Sequence, residues 1–518
     1  MQRLSGQDAL FLHLDQPHAA THATLIYIYD QSEMKGEPLR FRDIVHHVEK
    51  RLHASPLFRR RIVQVSMGLG YPYWEDDANF DIDFHIRHFA LPKPGDWRQF
   101  CILASRIHAR TLDLSRPPWE MYLIEGLDHF DWLPKGSFAI LTKVHHAAVD
   151  GTAMMELTWA LHDILGAKAK NVPVVEAARP VSAQKPAAGL ASYISRVVAD
   201  NVSSVKNIAG PVARALPKVS ATAIRMLART FAGQRGGAPK TRFNGKITAQ
   251  RNFGTAFFDL EDAKRIKNAV PGATLNDAVL AIVGGALRRY LLAKKDLPDK
   301  SLVAMAPVNT RQDAGERQTS GNTISLISFP LGTDIADPLE RIAAVQAATA
   351  QTKAIQRAIG ARDLTDISRF APPATLALTG RLVALAGFGG AGPVPLFNCA
   401  VSNVPGPIQP LYMMGAKLSY LSAVAPIMDG GGLFFAVSSY CGRLFIAPTS
   451  SPSIVPDPEF LVECVYKSFE EMKQAVEKAL VKRQTPRQAP GSKAKSSVRA
   501  APSESATTVP KRRLSKAA

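Results

Sequence analysis

Two kinds of hydrophobic repeat alternate along the chain, and together they predict a mixed α/β protein. Alternating or unbroken apolar runs of four to nine residues indicate strands, and apolar positions three or four apart indicate amphipathic helices. The predicted strands are 21–29, 81–87, 121–124, 138–144, 255–260, 302–305, 324–331 and 433–440. The predicted helices are 41–52, 97–112, 152–165, 261–268, 274–292 and 458–482, with a further long helix that starts near residue 337.

The length and a change in composition divide the pattern into four parts. A chain of 518 residues is too long for one core, and its 46% hydrophobic content is typical of a globular protein. Ala, Lys, Pro and Val dominate from residue 166 to 188, as in linkers. We predict an N-terminal domain over 1–180, a basic helical linker over 181–244, a C-terminal domain over 245–482 and a disordered basic tail over 483–518.

The net charge of +19 lies in the two accessory segments, 181–250 and 481–518, and the rest of the chain is formally neutral. Basic amphipathic helical patterns run through 190–232. These patterns fit either a helical crossover packed on the domains or a surface that lies on anionic lipid. The basic segments lack interleaved aromatic residues, so sequence-specific binding of nucleic acid is not expected.

One stretch carries candidate chemistry, and it follows the predicted strand 138–144. His145 and His146 come at the strand end, and Asp150 and Gly151 precede the predicted helix 152–165. A neutral imidazole can take a proton from a hydroxyl at working pH. The alternative is two buried structural histidines. Adjacent strand residues point to opposite faces, so the pair cannot readily share a metal ion, and we expect no metal.

Other patterns restrict the cofactor and the compartment. The four cysteines are scattered without zinc spacing, which indicates structural thiols in a reducing compartment. The glycines at 430–432 lack the lysine of a phosphate-binding loop. The chain starts without a signal-peptide pattern and has no unbroken apolar run of membrane-spanning length. We therefore expect no bound cofactor and a cytoplasmic location, with peripheral contact at the inner membrane or lipid inclusions as a further expectation.

The heptapeptide 145–151 resembles the HHxxxDG signature of the CoA-dependent acyltransferases. Further blocks make the chain similar to the bacterial wax ester synthase/diacylglycerol acyltransferase family, over nearly all of it outside the linker and tail. These blocks are the D-A-x-F start, an R-P-P-W segment with Pro118 where leucine is usual, the Asn276-Asp277 pair, the segment 399–407 and the glycine turn 429–432. The stretch 447–455 departs from the family, which usually carries an acidic residue there.

The resemblance implies two similar chloramphenicol-acetyltransferase-like α/β sandwich domains with the active-site channel between them. It also implies a catalytic role for each residue of the motif. His146 would be the general base and His145 its supporting neighbour. Asp150 would organise the loop, and Gly151 would leave room for the substrate chain.

Two further pairs are candidate substrate-binding residues. Asn276 and Asp277 lie in the first turn of a predicted helix, where free N–H groups favour acceptors, although Asp277 could equally stabilise the helix end. Ser402 and Asn403 precede a Pro-Gly turn that could direct them toward a reacting carbonyl, and a purely structural turn is the alternative.

The function that the resemblance implies is acyl transfer without a covalent acyl-enzyme. A long-chain fatty acyl group would move from acyl-CoA, a co-substrate, onto diacylglycerol or a long-chain alcohol. The products would be triacylglycerol or a wax ester. Membrane or lipid-droplet contact through 190–232 and the tail would suit such substrates. The competing hypothesis is a non-catalytic lipid-binding protein on the same fold.

Overall fold

The strands and helices alternate along the chain as the hydrophobic pattern predicts. The computed structural model describes residues 2–34, 36–64, 71–149, 151–164, 237–309, 324–359 and 395–484. The strands in these ranges are β1 (Gln2–Arg3), β2 (His22–Asp30), β3 (Arg60–Val63), β4 (Tyr73–Asp76), β5 (Ile86–Ala90), β6 (Trp119–Glu125), β7 (Phe138–His145), β8 (Asn252–Phe253), β9 (Ala256–Asp259), β10 (Val303–Asn309), β11 (Ile324–Pro330), β12 (Cys399–Pro405), β13 (Tyr412–Met413), β14 (Ala416–Val424), β15 (Leu433–Tyr440) and β16 (Arg443–Ser450). The α-helices are α1 (Gly6–Leu14), α2 (Phe41–Arg51), α3 (Ile82–His85), α4 (Trp97–Ala109), α5 (Gly151–Leu161), α6 (Leu260–Asn268), α7 (Leu275–Ala293), α8 (Pro338–Ile359) and α9 (Pro458–Gln484).

The first sheet is built around β2, whose residues are buried over nearly their whole length. Its strand order is β13–β14–β2–β7–β6–β5. On one side β2 pairs antiparallel with β7, which places His22 opposite His145. On the other side it pairs antiparallel with β14, a strand from the second half of the chain. The predicted domain boundaries did not anticipate that a strand from the second half of the chain would join this sheet. Those boundaries stay a prediction.

The second sheet and the helices packed against it form the other large core. Its strand order is β11–β10–β12–β15–β16–β8, and β9 also pairs with β16. The apolar faces of α7 and α9 bury there, with Leu287 and Val465 fully enclosed. A small sheet, β1–β4–β3, lies apart from both large sheets in strand pairing. Burial of apolar side chains on both sheets accounts for the strong apolar periodicity of the sequence. The mixed α/β prediction is confirmed.

One predicted strand is wrong in its first half. The alternating residues 81–87 predicted a strand, but Ile82–His85 form a helical turn and the strand begins at Ile86. Asp81 caps this turn, because its Oδ1 accepts the Asp83 N–H at 3.0 Å. The His85 ring stacks on Trp119 with centroids 4.4 Å apart, a contact that a sequence pattern does not reveal.

Two predicted segments lie wholly or almost wholly outside the described residues: the amphipathic part of the linker, 190–232, and the tail beyond residue 484. Among the residues that are described, no helix combines the length and apolar character needed to cross a membrane.

Candidate functional site

The end of β7 places His145 in a fixed, buried position. Its side chain is 1% exposed, and its Nδ1 accepts the Ala147 N–H at 3.1 Å. Because Nδ1 accepts, the ring proton is assigned to Nε2. That nitrogen faces the hydroxyl of Thr21 at 3.2 Å and a carboxylate oxygen of Asp15 at 3.5 Å. Both ring nitrogens of His145 are therefore engaged by the protein itself.

The loop between α1 and β2 supplies the residues that face His145. Asp15 Oδ1 accepts the Thr21 backbone N–H at 2.7 Å, which leaves Asp15 Oδ2 directed at the imidazole. The Thr21 hydroxyl donates to the Phe11 carbonyl at 3.0 Å, so its oxygen can accept from His145. The sequence analysis missed Asp15 and Thr21. They lie more than 120 residues before the motif, and no local pattern marks them.

His146 follows His145 in the chain and is partly exposed. Its backbone N–H donates to the Thr21 carbonyl at 3.0 Å, and its ring stacks on Phe11 with centroids 5.2 Å apart. The Pro118 carbonyl accepts the His145 N–H at 3.0 Å, so the R-P-P-W segment positions the motif through its backbone. His146 is thus the more accessible histidine of the two.

A buried polar layer lies on the same sheet face as His145. Lys143, two residues earlier on β7, is fully buried, and its ammonium donates to the Ile107 carbonyl at 3.2 Å and to the Arg110 carbonyl. Glu120, on β6, lies 3.8 Å from that ammonium. Burial lowers the pKa of Lys143 to about 8, although the Glu120 charge opposes the shift.

Two neutral histidines continue the layer beneath the motif. His22 Nε2 donates to the His108 carbonyl at 2.5 Å, and the Thr24 hydroxyl lies 2.9 Å from His108 Nδ1. Burial, together with nearby cations, lowers the pKa of both imidazoles well below 6.5. The layer joins β2, β7 and the C-terminal end of α4 into one hydrogen-bonded support.

The second group of predicted residues lies at the start of α7 and the end of β12. Asp277 is buried, and one of its oxygens accepts from both the N–H and the hydroxyl of Thr274, at 2.7 and 2.8 Å. Its other oxygen accepts from the Thr349 hydroxyl at 2.6 Å. Asp277 therefore caps the helix and ties it to α8.

Asn276 and Asn403 come together, because the Asn403 amide donates to the Asn276 carbonyl oxygen at 3.4 Å. Ser402 precedes Asn403 on β12 and is partly exposed. Asp150 lies outside the described residues, and Gly151 begins α5. Within the described ranges, no cluster of three His, Cys, Asp or Glu side chains could hold a metal ion.

Family models and named relatives match this chain over most of its length. The wax ester synthase/diacylglycerol acyltransferase catalytic domain matches residues 4–279, and the C-terminal domain of that family matches residues 320–473. A Mycobacterium tuberculosis protein named as a diacylglycerol O-acyltransferase is 32% identical over 88% of this chain and 87% of its own. A Mycobacterium bovis protein with the same name is 30% identical over 92% of this chain and 100% of its own.

Solved structures share the architecture. The wax ester synthase/diacylglycerol acyltransferase from Marinobacter aquaeolei VT8 is 25% identical, with a TM-score of 0.60, over 92% of this chain and 100% of that one. A trichothecene 15-O-acetyltransferase from Fusarium sporotrichioides is 12% identical, with a TM-score of 0.54, over 92% of this chain and 94% of that one. At that identity the second likeness concerns the fold alone. The predicted two-domain acyltransferase fold is confirmed.

The buried histidine layer predicts acid-sensitive stability. His22 and His108 are neutral in the folded state, whereas the unfolded chain protonates them below about pH 6.5, so stability falls as the pH falls. From pH 7.5 to 5.5 each should cost about 1.4 kcal/mol of unfolding free energy. Chemical denaturation at both pH values should show that His108→Gln loses about 1.4 kcal/mol less than the parent. The exposed His53→Gln should behave like the parent, and an equal loss in His108→Gln would contradict the assignment.

Proposed function

The chain belongs to the wax ester synthase/diacylglycerol acyltransferase family and is an acyltransferase, and from this premise we propose its substrates and the roles of its residues. The donor is acyl-CoA with a long fatty chain. The acceptor is the free hydroxyl of diacylglycerol, a long-chain alcohol, or both. The observation that carries the proposal is the geometry of the His145-His146 pair. The His145 ring is held by Asp15, Thr21 and the Ala147 backbone N–H, and the partly exposed His146 lies beside it.

The reaction needs one proton carrier and no covalent enzyme intermediate. His146 takes the proton of the acceptor hydroxyl while that oxygen attacks the thioester carbonyl carbon. The tetrahedral intermediate then collapses, and the C–S bond breaks. The CoA sulfur leaves with the proton that the His146 imidazolium returns. The products are the ester and free CoA, and the imidazole is again neutral.

His145 supports this cycle by holding the backbone of its neighbour. Its ring accepts the Ala147 N–H, which fixes the turn that follows His146. The Asp15 carboxylate orients the Nε2 proton of His145. Asp150 organises the remaining part of the loop, and Gly151 leaves space for the substrate chain, as the family resemblance implies.

The second cluster is proposed to contact substrate. Asn276 and Asn403 offer amide groups, and Ser402 offers a hydroxyl, any of which can bind a carbonyl or hydroxyl oxygen. The Asp277 carboxylate already accepts three hydrogen bonds, so its contribution to binding is to hold Asn276 in the first turn of α7.

Replacement of His146 by alanine should remove the general base. The rate of CoA release from palmitoyl-CoA with hexadecanol or dioleoylglycerol should fall about 100- to 10,000-fold. The exposed His53→Ala is the matched control and should retain the parent rate. A folded His146→Ala protein with parental rates would exclude His146 as the base. A folded parent that released no CoA with either acceptor would favour the lipid-binding alternative.

Replacement of Asp15 by asparagine should leave the fold intact and misorient His145. We expect kcat to fall about tenfold with little change in KM, because a charged hydrogen bond contributes about 1.5–3 kcal/mol. Asp15→Glu should restore part of the rate, which a purely structural loss would not allow. The exposed Asp76→Asn, which removes the same charge elsewhere, serves as the control. A rise in KM alone would contradict a positioning role.

We also propose peripheral contact with anionic lipid through residues 190–232 and the basic tail, in a cytoplasmic protein. Flotation of the full chain with phosphatidylglycerol vesicles tests this proposal. Arg225→Gln combined with Arg229→Gln should weaken partitioning about 30-fold, since each basic residue near such a surface contributes about 1 kcal/mol. Arg40→Gln with Arg42→Gln, at an exposed site on the first domain, is the control. Equal binding to phosphatidylcholine vesicles would contradict the proposal.

A further inference from the structure

A cavity of about 280 Å³ lies where α4 meets β8 and the start of α9. This volume is slightly below the range of about 300–1,000 Å³ for ligand sites, so the cavity suits one end of a larger molecule. Its lining combines apolar and basic side chains. They are Arg98, Cys101, Ile102, Ser105, Arg106, Ala109, Gln250, Arg251, Asn252, Phe253, Pro452, Pro458 and Glu459.

Arg251 is a buried charge that lines this cavity without an ion-pair partner. It is 9% exposed, and its guanidinium donates to the carbonyls of Thr248, Gln250 and His18. No carboxylate of the described residues forms an ion pair with it. Burial lowers its pKa to about 10, and the nearby Asp429 offsets only part of that shift. A buried cation held only by carbonyl dipoles has a net affinity for an anion.

The rim of the cavity adds positive charge. Arg106 is exposed on α4, and no hydrogen bond or ion pair occupies it within the described part of the chain. Arg98 is paired with Glu459 at 3.3 Å, so these two charges offset each other. The net charge of the lining thus comes from Arg106 and Arg251. Phe253 and the two prolines provide an apolar wall beside them. A phosphate attached to a flat, apolar group matches both features.

The cavity is connected to the histidine site by the loop between α1 and β2. Arg251 donates to the His18 carbonyl at 2.7 Å, and the His18 ring lies 3.2 Å from Asp429. The same loop carries Asp15 and Thr21, which face His145. A ligand end bound beside Arg251 would therefore lie next to the loop that orients the catalytic pair.

We propose that this cavity binds the phosphate-bearing nucleotide end of the acyl-CoA donor. The inference rests on the proposed function for the identity of the donor. CoA carries its phosphates and its adenine at the end remote from the thioester, so a separate basic cavity can hold that end while the thioester reaches His146. Arg106 and Arg251 bind phosphate oxygens, and Phe253 packs against the base.

The test compares two donors that share one thioester. Palmitoyl-CoA carries the nucleotide end, and palmitoyl-pantetheine lacks it. In Arg106→Gln the KM for palmitoyl-CoA should rise about tenfold, as for the loss of one charged hydrogen bond, while kcat/KM for palmitoyl-pantetheine stays unchanged. Arg42→Gln, exposed on α2 and outside the lining, should leave both donors unaffected. Equal effects on the two donors, or none on either, would overturn the proposal.

A binding measurement separates this inference from the proposed reaction. Calorimetry with adenosine 3′,5′-bisphosphate needs no turnover, and its affinity should fall in Arg106→Gln and further in Arg251→Gln. Thermal melting of both variants reports whether they are folded, and Arg106→Gln, at an exposed site, carries the test if Arg251→Gln unfolds. If Arg106→Gln lost binding to phosphatidylglycerol vesicles but kept the parental affinity for adenosine 3′,5′-bisphosphate, the cavity would be assigned to a lipid headgroup. That result would overturn the donor assignment.

Discussion

The antiparallel pairing of β2 with β7 is the constraint on which the candidate site depends. It places His22 opposite His145 and sets the loop that precedes β2 against the end of β7. Asp15 and Thr21 reach the His145 ring only in this register. A shift of one residue would turn every side chain of β7 to the opposite face. Because β2 also pairs with β14, the register is held from both edges, and the second half of the chain helps to fix the first.

The polar layer beneath the motif lowers the stability of the fold but fixes the positions of the side chains around the motif. Two neutral imidazoles and the Lys143 ammonium are buried where apolar side chains would cost less free energy. His22 and Lys143 donate to backbone carbonyls at the C-terminal end of α4, and the His108 ring on α4 bonds the Thr24 hydroxyl of β2. The layer therefore fixes that helix to the sheet at a defined height. An apolar layer would pack with less directional preference. The directionality suits a site in which the His145 ring must keep one orientation.

Features that depend on residues close together in the sequence could be predicted from local sequence patterns. The strand that ends at His145, the helix that follows Gly151 and the cap at Thr274 could all be predicted, since periodicity and capping residues lie within one element. The contacts of Asp15 and Thr21 could not, because they depend on strand pairing across more than 120 residues. The pairing of β14 with β2 is equally distant in sequence, and the predicted strands did not include β14. Residues 82–85 show the converse, since an alternating pattern gave way to the Asp81 cap and to stacking on Trp119.

The loop from Asp15 to Thr21 is held by residues from both halves of the chain. Thr21 begins the approach to β2, and its hydroxyl is fixed by the carbonyl of Phe11 in α1. His18, at the middle of the loop, is held by Arg251 and Asp429, both from the second half. The orientation of the His145 ring therefore depends on contacts from both the first and the second half of the chain. The position of the His145 imidazole therefore depends in part on Arg251, which is far from the motif in sequence and contacts the same loop.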